Sequence, residues 1–76
     1  MNNIRRKQIK KIIVSLESSK GDIEDVLAEE EATFDNMPEN LINSDRGDKI
    51  SDAIDLLNES ITNIESAIEN LEEAQE

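Results

Sequence analysis

Ile54, Leu57, Ile61, Ile64, Ile68 and Leu71 follow one another at alternating intervals of three and four residues. Residues 54–74 divide into three consecutive heptads, each opening with isoleucine. Leu57, Ile64 and Leu71 sit three residues after those isoleucines, and Ser60, Ala67 and Ala74 close the repeats. This spacing places the six large apolar side chains on one stripe of an α-helix. Water expels such a stripe, so the helix needs a partner helix.

A second helical pattern precedes it. Ile9, Ile12, Ile13, Leu16, Ile23, Val26, Leu27 and Phe34 recur with helical periodicity. The weak point is Ser18-Ser19-Lys20-Gly21-Asp22, where Gly21 costs about 1 kcal/mol relative to alanine inside a helix. Leu16 and Ile23 are one heptad apart across it, so the phase is kept and one continuous helix is expected. The pattern predicts a first helix over about residues 3–34, a connector over about 35–47 and a second helix over about 48–74. In the connector, Pro38 suits the first position of a short helical turn, with Asn36 or Met37 before it. Met37, Leu41 and Ile42 can then fold over the hairpin end. Ser44, Asp45 or Gly47 can start the second helix, with Asp48 in its first turn where the macrodipole favours an anion.

Two helices of similar length joined by a short connector pack antiparallel. The fold class expected is all-α, a coiled-coil-like antiparallel two-helix hairpin within a single domain spanning 1–76. The stripes propose a register. Phe34 faces Ile50, Leu27 faces Leu57, Ile23 faces Ile61, Leu16 faces Ile68 and Ile13 faces Leu71. Lys20 falls opposite Ile64, where its stem can cover the isoleucine while the ammonium stays in water. Ile12, Val26 and Leu56 lie at the flanks of the seam, and small Ala53, Ser60, Ala67 and Ala74 line one edge of the second helix. A hairpin leaves seam residues half covered, and small residues at a repeated position admit another helix. The expected assembly is therefore a homodimer forming a four-helix bundle.

Charge adds a direction to this picture. The 76 residues hold 19 acids and 8 bases, for a net charge of −11. Residues 1–11 hold Arg5, Arg6, Lys7, Lys10 and Lys11 and no acid, and the remaining residues hold all 19 acids. Bases at the start of one helix and Glu69, Glu72, Glu73 and Glu76 at the end of the other each oppose a macrodipole alone. In an antiparallel hairpin they come side by side. The acidic balance argues against direct nucleic-acid or anionic-lipid binding and favours a protein partner with a basic surface. With no cysteine and no histidine, disulfides and thiolate or imidazole metal ligation are excluded, which leaves oligomerisation to support a thin core. No apolar run approaches a membrane span, and Ile12-Ile13-Val14 is too short for a signal-peptide core, so a cytoplasmic protein is expected.

No catalytic or cofactor constellation stands out, and neither an enzyme nor a cofactor is expected. Glu29-Glu30-Glu31 and Glu72-Glu73 lack the Glu-x-x-His partners of a carboxylate-bridged metal site, and Glu30 alone falls near the seam. Asp45 and Asp48 lack the remaining ligands of a calcium loop. The basic cluster at 5–11 is explained by pairing with the acidic end, and no Tyr or Trp is present to stack bases. Two surfaces are candidates for partner binding. The first is the acidic face of the second helix, formed by Asp48, Asp52, Asp55, Glu59, Glu65, Glu69, Glu72, Glu73 and Glu76, with Asp52, Asp55, Glu59, Glu69 and Glu73 on its outer side; neighbours three or four apart lie about 5–6 Å from each other, comparable to phosphates along a nucleic-acid strand. The second, an alternative, is the connector with Phe34, Met37, Pro38, Leu41 and Ile42.

Asp35-Asn36-Met37-Pro38-Glu39-Asn40-Leu41, followed by Ser44-Asp45-Arg46-Gly47 and Lys49, resembles a recurrent group of small acidic helical-hairpin proteins of phages, prophages and Gram-positive bacteria. The likeness runs over nearly the whole chain. That group has no assigned activity, so the resemblance implies no site residues. It implies a phage context, hence the cytoplasm of a host cell. There, small acidic proteins commonly bind and block host or defence proteins, some by imitating the charge of nucleic acid. The alternative expectation is a structural module that acts by self-association alone.

The register makes a direct prediction. Cysteines introduced as Leu16→Cys and Ile68→Cys should crosslink on mild oxidation with little loss of helicity. Crosslinking only when one cysteine is moved by a heptad would show that the helices are slipped.

Overall fold

α1 (Asn3–Asp35) is one unbroken helix of 33 residues. Asn2 begins it, its Oδ1 accepting from the Arg5 backbone N–H at 2.8 Å. Gly21 does not interrupt it, because seam contacts on both sides of the glycine outweigh its poor propensity. α2 (Glu39–Ile42) is a single turn, and α3 (Asp45–Ala74) is a second long helix of 30 residues. The structure, a computed structural model, describes all residues 1–76 and contains no strand.

α1 and α3 pack against each other along a rod of 58 × 15 × 12 Å. Two cross-helix contacts fix the direction. Arg6 Nε donates to the Gln75 carbonyl at 2.9 Å, and Lys20 Nζ lies 4.0 Å from Glu65 Oε2. The beginning of α1 thus meets the end of α3, making an antiparallel hairpin. The same contacts limit the register. At 1.5 Å rise per residue, a slip of one heptad moves the helices by about 10 Å. A slip in one direction would carry Gln75 out of reach of Arg6, and in the other Glu65 out of reach of Lys20. The alignment of Leu16 with Ile68 and Ile13 with Leu71 satisfies both contacts.

The seam is visible in the burial pattern. On α1, Arg6, Ile9, Leu16, Lys20, Ile23, Leu27, Glu30 and Phe34 are half-buried and Ile13 is buried, a run of threes and fours. On α3, Ile50, Ile54, Leu57, Ile61, Ile64, Ile68 and Leu71 are half-buried in the same rhythm. Ile13, 7% exposed, is the one apolar side chain that is fully covered. The accessible surface is 5667 Å², against about 4,700 Å² for a compact monomer of this mass. The radius of gyration is 17.3 Å, against about 11 Å for a compact chain of this length.

The connector is tighter than its sequence suggests. The first long helix ends at Asp35, one residue past the expected bound, and the second begins at Asp45, one of the starts the sequence offers and three residues before 48. Pro38 stands just before the short turn, as its N-cap, and not at its first helical position. The Leu41 and Ile42 N–H groups both bond to the Pro38 carbonyl. Ser44 precedes α3, but its hydroxyl donates back to the Leu41 carbonyl and does not cap the helix; Asp45 and Asp48 supply negative charge in the first turn. The early start depends on Gly47, which is buried against α2. A Cβ there would lie 2.1 Å from the Ile42 carbonyl oxygen and 2.6 Å from that of Leu41. Only the missing side chain lets α2 stack on the first turn of α3 with a two-residue link.

The two glycines should therefore respond in opposite ways. A Cβ at Gly21 meets nothing within 4 Å. Gly21→Ala should raise stability by about 0.5–1 kcal/mol, whereas Gly47→Ala should lower it by about 1–3 kcal/mol because backbone must move. Urea unfolding followed by circular dichroism measures both. A stabilising Gly47→Ala would contradict the stacked connector.

Candidate interaction surfaces

The outer acidic face is built by the phase of α3. Ile54, Leu57, Ile61, Ile64, Ile68 and Leu71 turn toward α1, which leaves Asp52, Asp55, Glu59, Glu69 and Glu73 exposed on the outer side. Their backbone is held by a helix whose Asn58, Ser60 and Thr62 side chains bond back to carbonyls four residues earlier. These five carboxylates form no ion pair, since the single ion pair of the molecule is Lys20–Glu65. They divide into two groups. Asp52, Asp55 and Glu59 form one, with Asp48 before them, and Glu69 and Glu73 the other, with Glu72 and Glu76 nearby. Between Glu59 and Glu69, about 15 Å apart, Thr62 and Ser66 hold the outermost positions, while Glu65, 57% exposed, carries charge on the flank facing Lys20.

A groove beside the seam is lined by Glu17, Lys20, Glu65, Ile68, Glu69 and Glu72. It lies on the flank where Lys20 reaches Glu65. Lys20 keeps 30% of its side-chain surface exposed and Glu65 keeps 57%, so the pair is solvated and contributes little to stability. No cluster of three or more potential ligands is placed to hold a metal ion.

The charged ends meet differently from the sequence expectation. The basic start of α1 and the acidic end of α3 do share one end of the rod, but no base from 5–11 pairs with Glu69, Glu72, Glu73 or Glu76. Arg6 instead donates to the backbone carbonyl of Gln75 and to Asn3 Oδ1, at 2.9 and 3.1 Å. A guanidinium thus satisfies an orphan carbonyl at the negative end of α3, where no basic residue of its own last turn is available. Gln75 Oε1 is buried there without a partner. Arg5, Lys7, Lys10 and Lys11 stay exposed. Orphan carbonyls at any helix end were the sequence signal for this contact.

The connector residues are placed together at the opposite end. Phe34, Met37, Leu41 and Ile42 are half-buried there, α2 packs on α3, and Pro38 is exposed. The three apolar residues from Met37 to Ile42 fold over the closed end of the seam, which accounts for much of their apolar surface without a partner. No helix is long and apolar enough to cross a membrane. Comparison with family models, with curated proteins and with solved structures gave no match.

With one solvated ion pair set against a net charge of −11, like-charge repulsion outweighs attraction. Raising NaCl from about 20 mM to about 500 mM shortens the screening length several-fold and should raise the melting temperature. A clear fall with salt would mean that attractive pairs dominate.

Proposed function

We propose that this protein is a non-enzymatic acidic interaction protein that binds and inhibits a partner with a basic surface through the outer face of α3. The observation that supports this is the set of five exposed carboxylates, Asp52, Asp55, Glu59, Glu69 and Glu73, held on a rigid helix without cations of their own. Side chains already fixed in place on a helix lose little backbone freedom on binding, and their charges steer a basic partner from a distance. A partner whose basic groove normally holds nucleic acid is the natural match. The resemblance to phage-type hairpin proteins supports a host or defence protein as that partner, met in the host cytoplasm.

Replacing Asp52, Asp55, Glu59, Glu69 and Glu73 by their amides should leave helicity intact. It should weaken a partner recovered from host lysate by about tenfold or more and flatten the salt dependence of binding. DNA should compete for that partner. If the connector is the contact instead, the amide variant keeps its affinity while Met37→Ala with Leu41→Ala loses it. Retention of affinity by both variants would remove both surfaces from consideration.

A second reading, a structural module acting by self-association, is favoured by the uncovered seam. One fully buried apolar residue and about 1,000 Å² of surface beyond that of a compact monomer describe half of a larger core. In this reading two hairpins pair as a homodimeric four-helix bundle with coiled-coil-like packing.

A further inference from the structure

The self-association reading leaves open which face is covered and how the copies are oriented, and both follow from where the acids stand. Assign heptad position a to Ile54, Ile61 and Ile68 and position d to Leu57, Ile64 and Leu71. The nine acids of α3 then all fall at b, e or f. None stands at c or g. Position g holds Arg46, Ala53, Ser60, Ala67 and Ala74, and position c holds Lys49, Leu56, Asn63 and Asn70. On α1, with Ile13 and Leu27 at a and Leu16 and Ile23 at d, position g holds Arg5, Ile12, Ser19, Val26 and Thr33, again without an acid.

The hairpin brings these rows together. Glu17 and Glu65, both at e, line the same groove, so the two e rows share one flank and the two g rows share the other. In this register the g rows approach one another with an offset of two residues, about 3 Å along the axis, which brings Ile12 near Ala74, Ser19 near Ala67, Val26 near Ser60 and Thr33 near Ala53. One flank of the rod is therefore carboxylate-rich, and the two g rows on the opposite flank are free of acid, with Asp22 and Glu29 at position c of α1 the only acids beside them. Ile12, Val26 and Leu56 are 48%, 49% and 62% exposed on that second side. The hydroxyls of Ser60 and Thr33 would not be stranded by coverage, because Ser60 donates to the Leu56 carbonyl and Thr33 to that of Glu29, each at 2.9 Å.

We infer that this acid-poor flank receives the same flank of a second copy, with the two rods antiparallel and their two-fold axis near Ser19 and Ala67. Orientation follows from charge. Residues 1–11 hold five bases and no acid, while residues 25–59 hold eleven acids and two bases. Parallel copies would set the acid-rich halves, residues 25–59, side by side within a screening length of about 10 Å. Antiparallel copies set the unpaired Arg5, Lys7, Lys10 and Lys11 of each beside the acidic half of the other. The axis position follows from length. Ser19 is the midpoint of α1, so an axis there overlaps the rods fully and puts Ile12 of each copy against Val26 of the other. A strip along the 58 Å rod, about 10 Å wide, gives about 1,200 Å² of total interface, the size at which stable pairing begins.

Ser60 and Ser66 are both exposed in the hairpin, one on the acid-poor flank and one on the acidic side. Ser60→Glu and Ser66→Glu add the same charge, and circular dichroism verifies that both stay helical. Sedimentation equilibrium should show the Ser60→Glu dimer weakened by about 100-fold or more, because it places an unpaired charge in the interface, and the Ser66→Glu dimer within about twofold of the unmodified one. Spin labels on Asn40→Cys, at the loop tip, should lie near the rod length of 58 Å apart in the dimer. A monomeric parent protein would remove the self-association reading and this inference with it. A dimer whose loop-tip labels are within about 25 Å would overturn the antiparallel orientation alone, since parallel tips lie within about two helix diameters. Equal effects of the two glutamates would overturn the choice of flank.

Discussion

Two cylinders touch along a line, and every other property of this molecule is governed by how little a line of contact can cover. Thirteen large apolar side chains are aligned on the facing stripes of α1 and α3, yet Ile13 alone is fully withdrawn from water. The other twelve keep part of their surface in water, so each contributes less than a core position offers. Stability then scales with seam length, which accounts for a rod of 58 Å in a chain of 76 residues. The open edge of the seam also explains why charged residues sit in it. Lys20 and Glu30 hold seam positions while remaining partly solvated, and neither bears the desolvation cost of a closed core.

The heptads made the hairpin legible before any coordinates. Isoleucine and leucine at threes and fours determine a helix, its phase and its need for a partner, and the phase alone carries α1 through Gly21. What the pattern could not supply was the tertiary geometry of the connector. α3 starts at Asp45 because Gly47 lets the carbonyls of Leu41 and Ile42 approach its first turn. A reading of propensity weighs Gly47 as a helix breaker, when its lack of a Cβ is what permits the helix there. Formal charge was misleading in a similar way. It pointed Arg6 at a carboxylate, whereas the guanidinium binds the Gln75 carbonyl, an acceptor that every helix end exposes and that a count of side-chain charges omits.

The candidate surfaces were legible as residues but not as faces. Asp52, Asp55, Glu59, Glu69 and Glu73 are outward on any helix with this stripe, so their exposure follows from spacing alone. Which side of the rod is poor in acid depends on which edge of α3 lies beside which edge of α1, and that needs the hairpin. Once the e rows are seen to share a groove, the exclusion of nine acids from c and g of α3 becomes a property of one side of the molecule, where Asp22 and Glu29 of α1 are the only acids.

The two proposed surfaces would keep assembly and partner binding apart. A second copy on the acid-poor flank leaves the b and f carboxylates of both α3 helices in water, so pairing and binding of a basic protein do not compete for surface. Pairing would also double the number of acidic patches on one body. Two copies of a weak site on a rigid frame bind a partner with two matching basic regions far more tightly than one copy does, provided the spacing fits. Covering the seam by association, as proposed, works against a net charge of −11 per copy. Segregating the bases into residues 1–11 would ease that conflict for the antiparallel orientation, in which each basic end meets the acidic half of the other copy, and repulsion between the acidic halves would then count against parallel pairing.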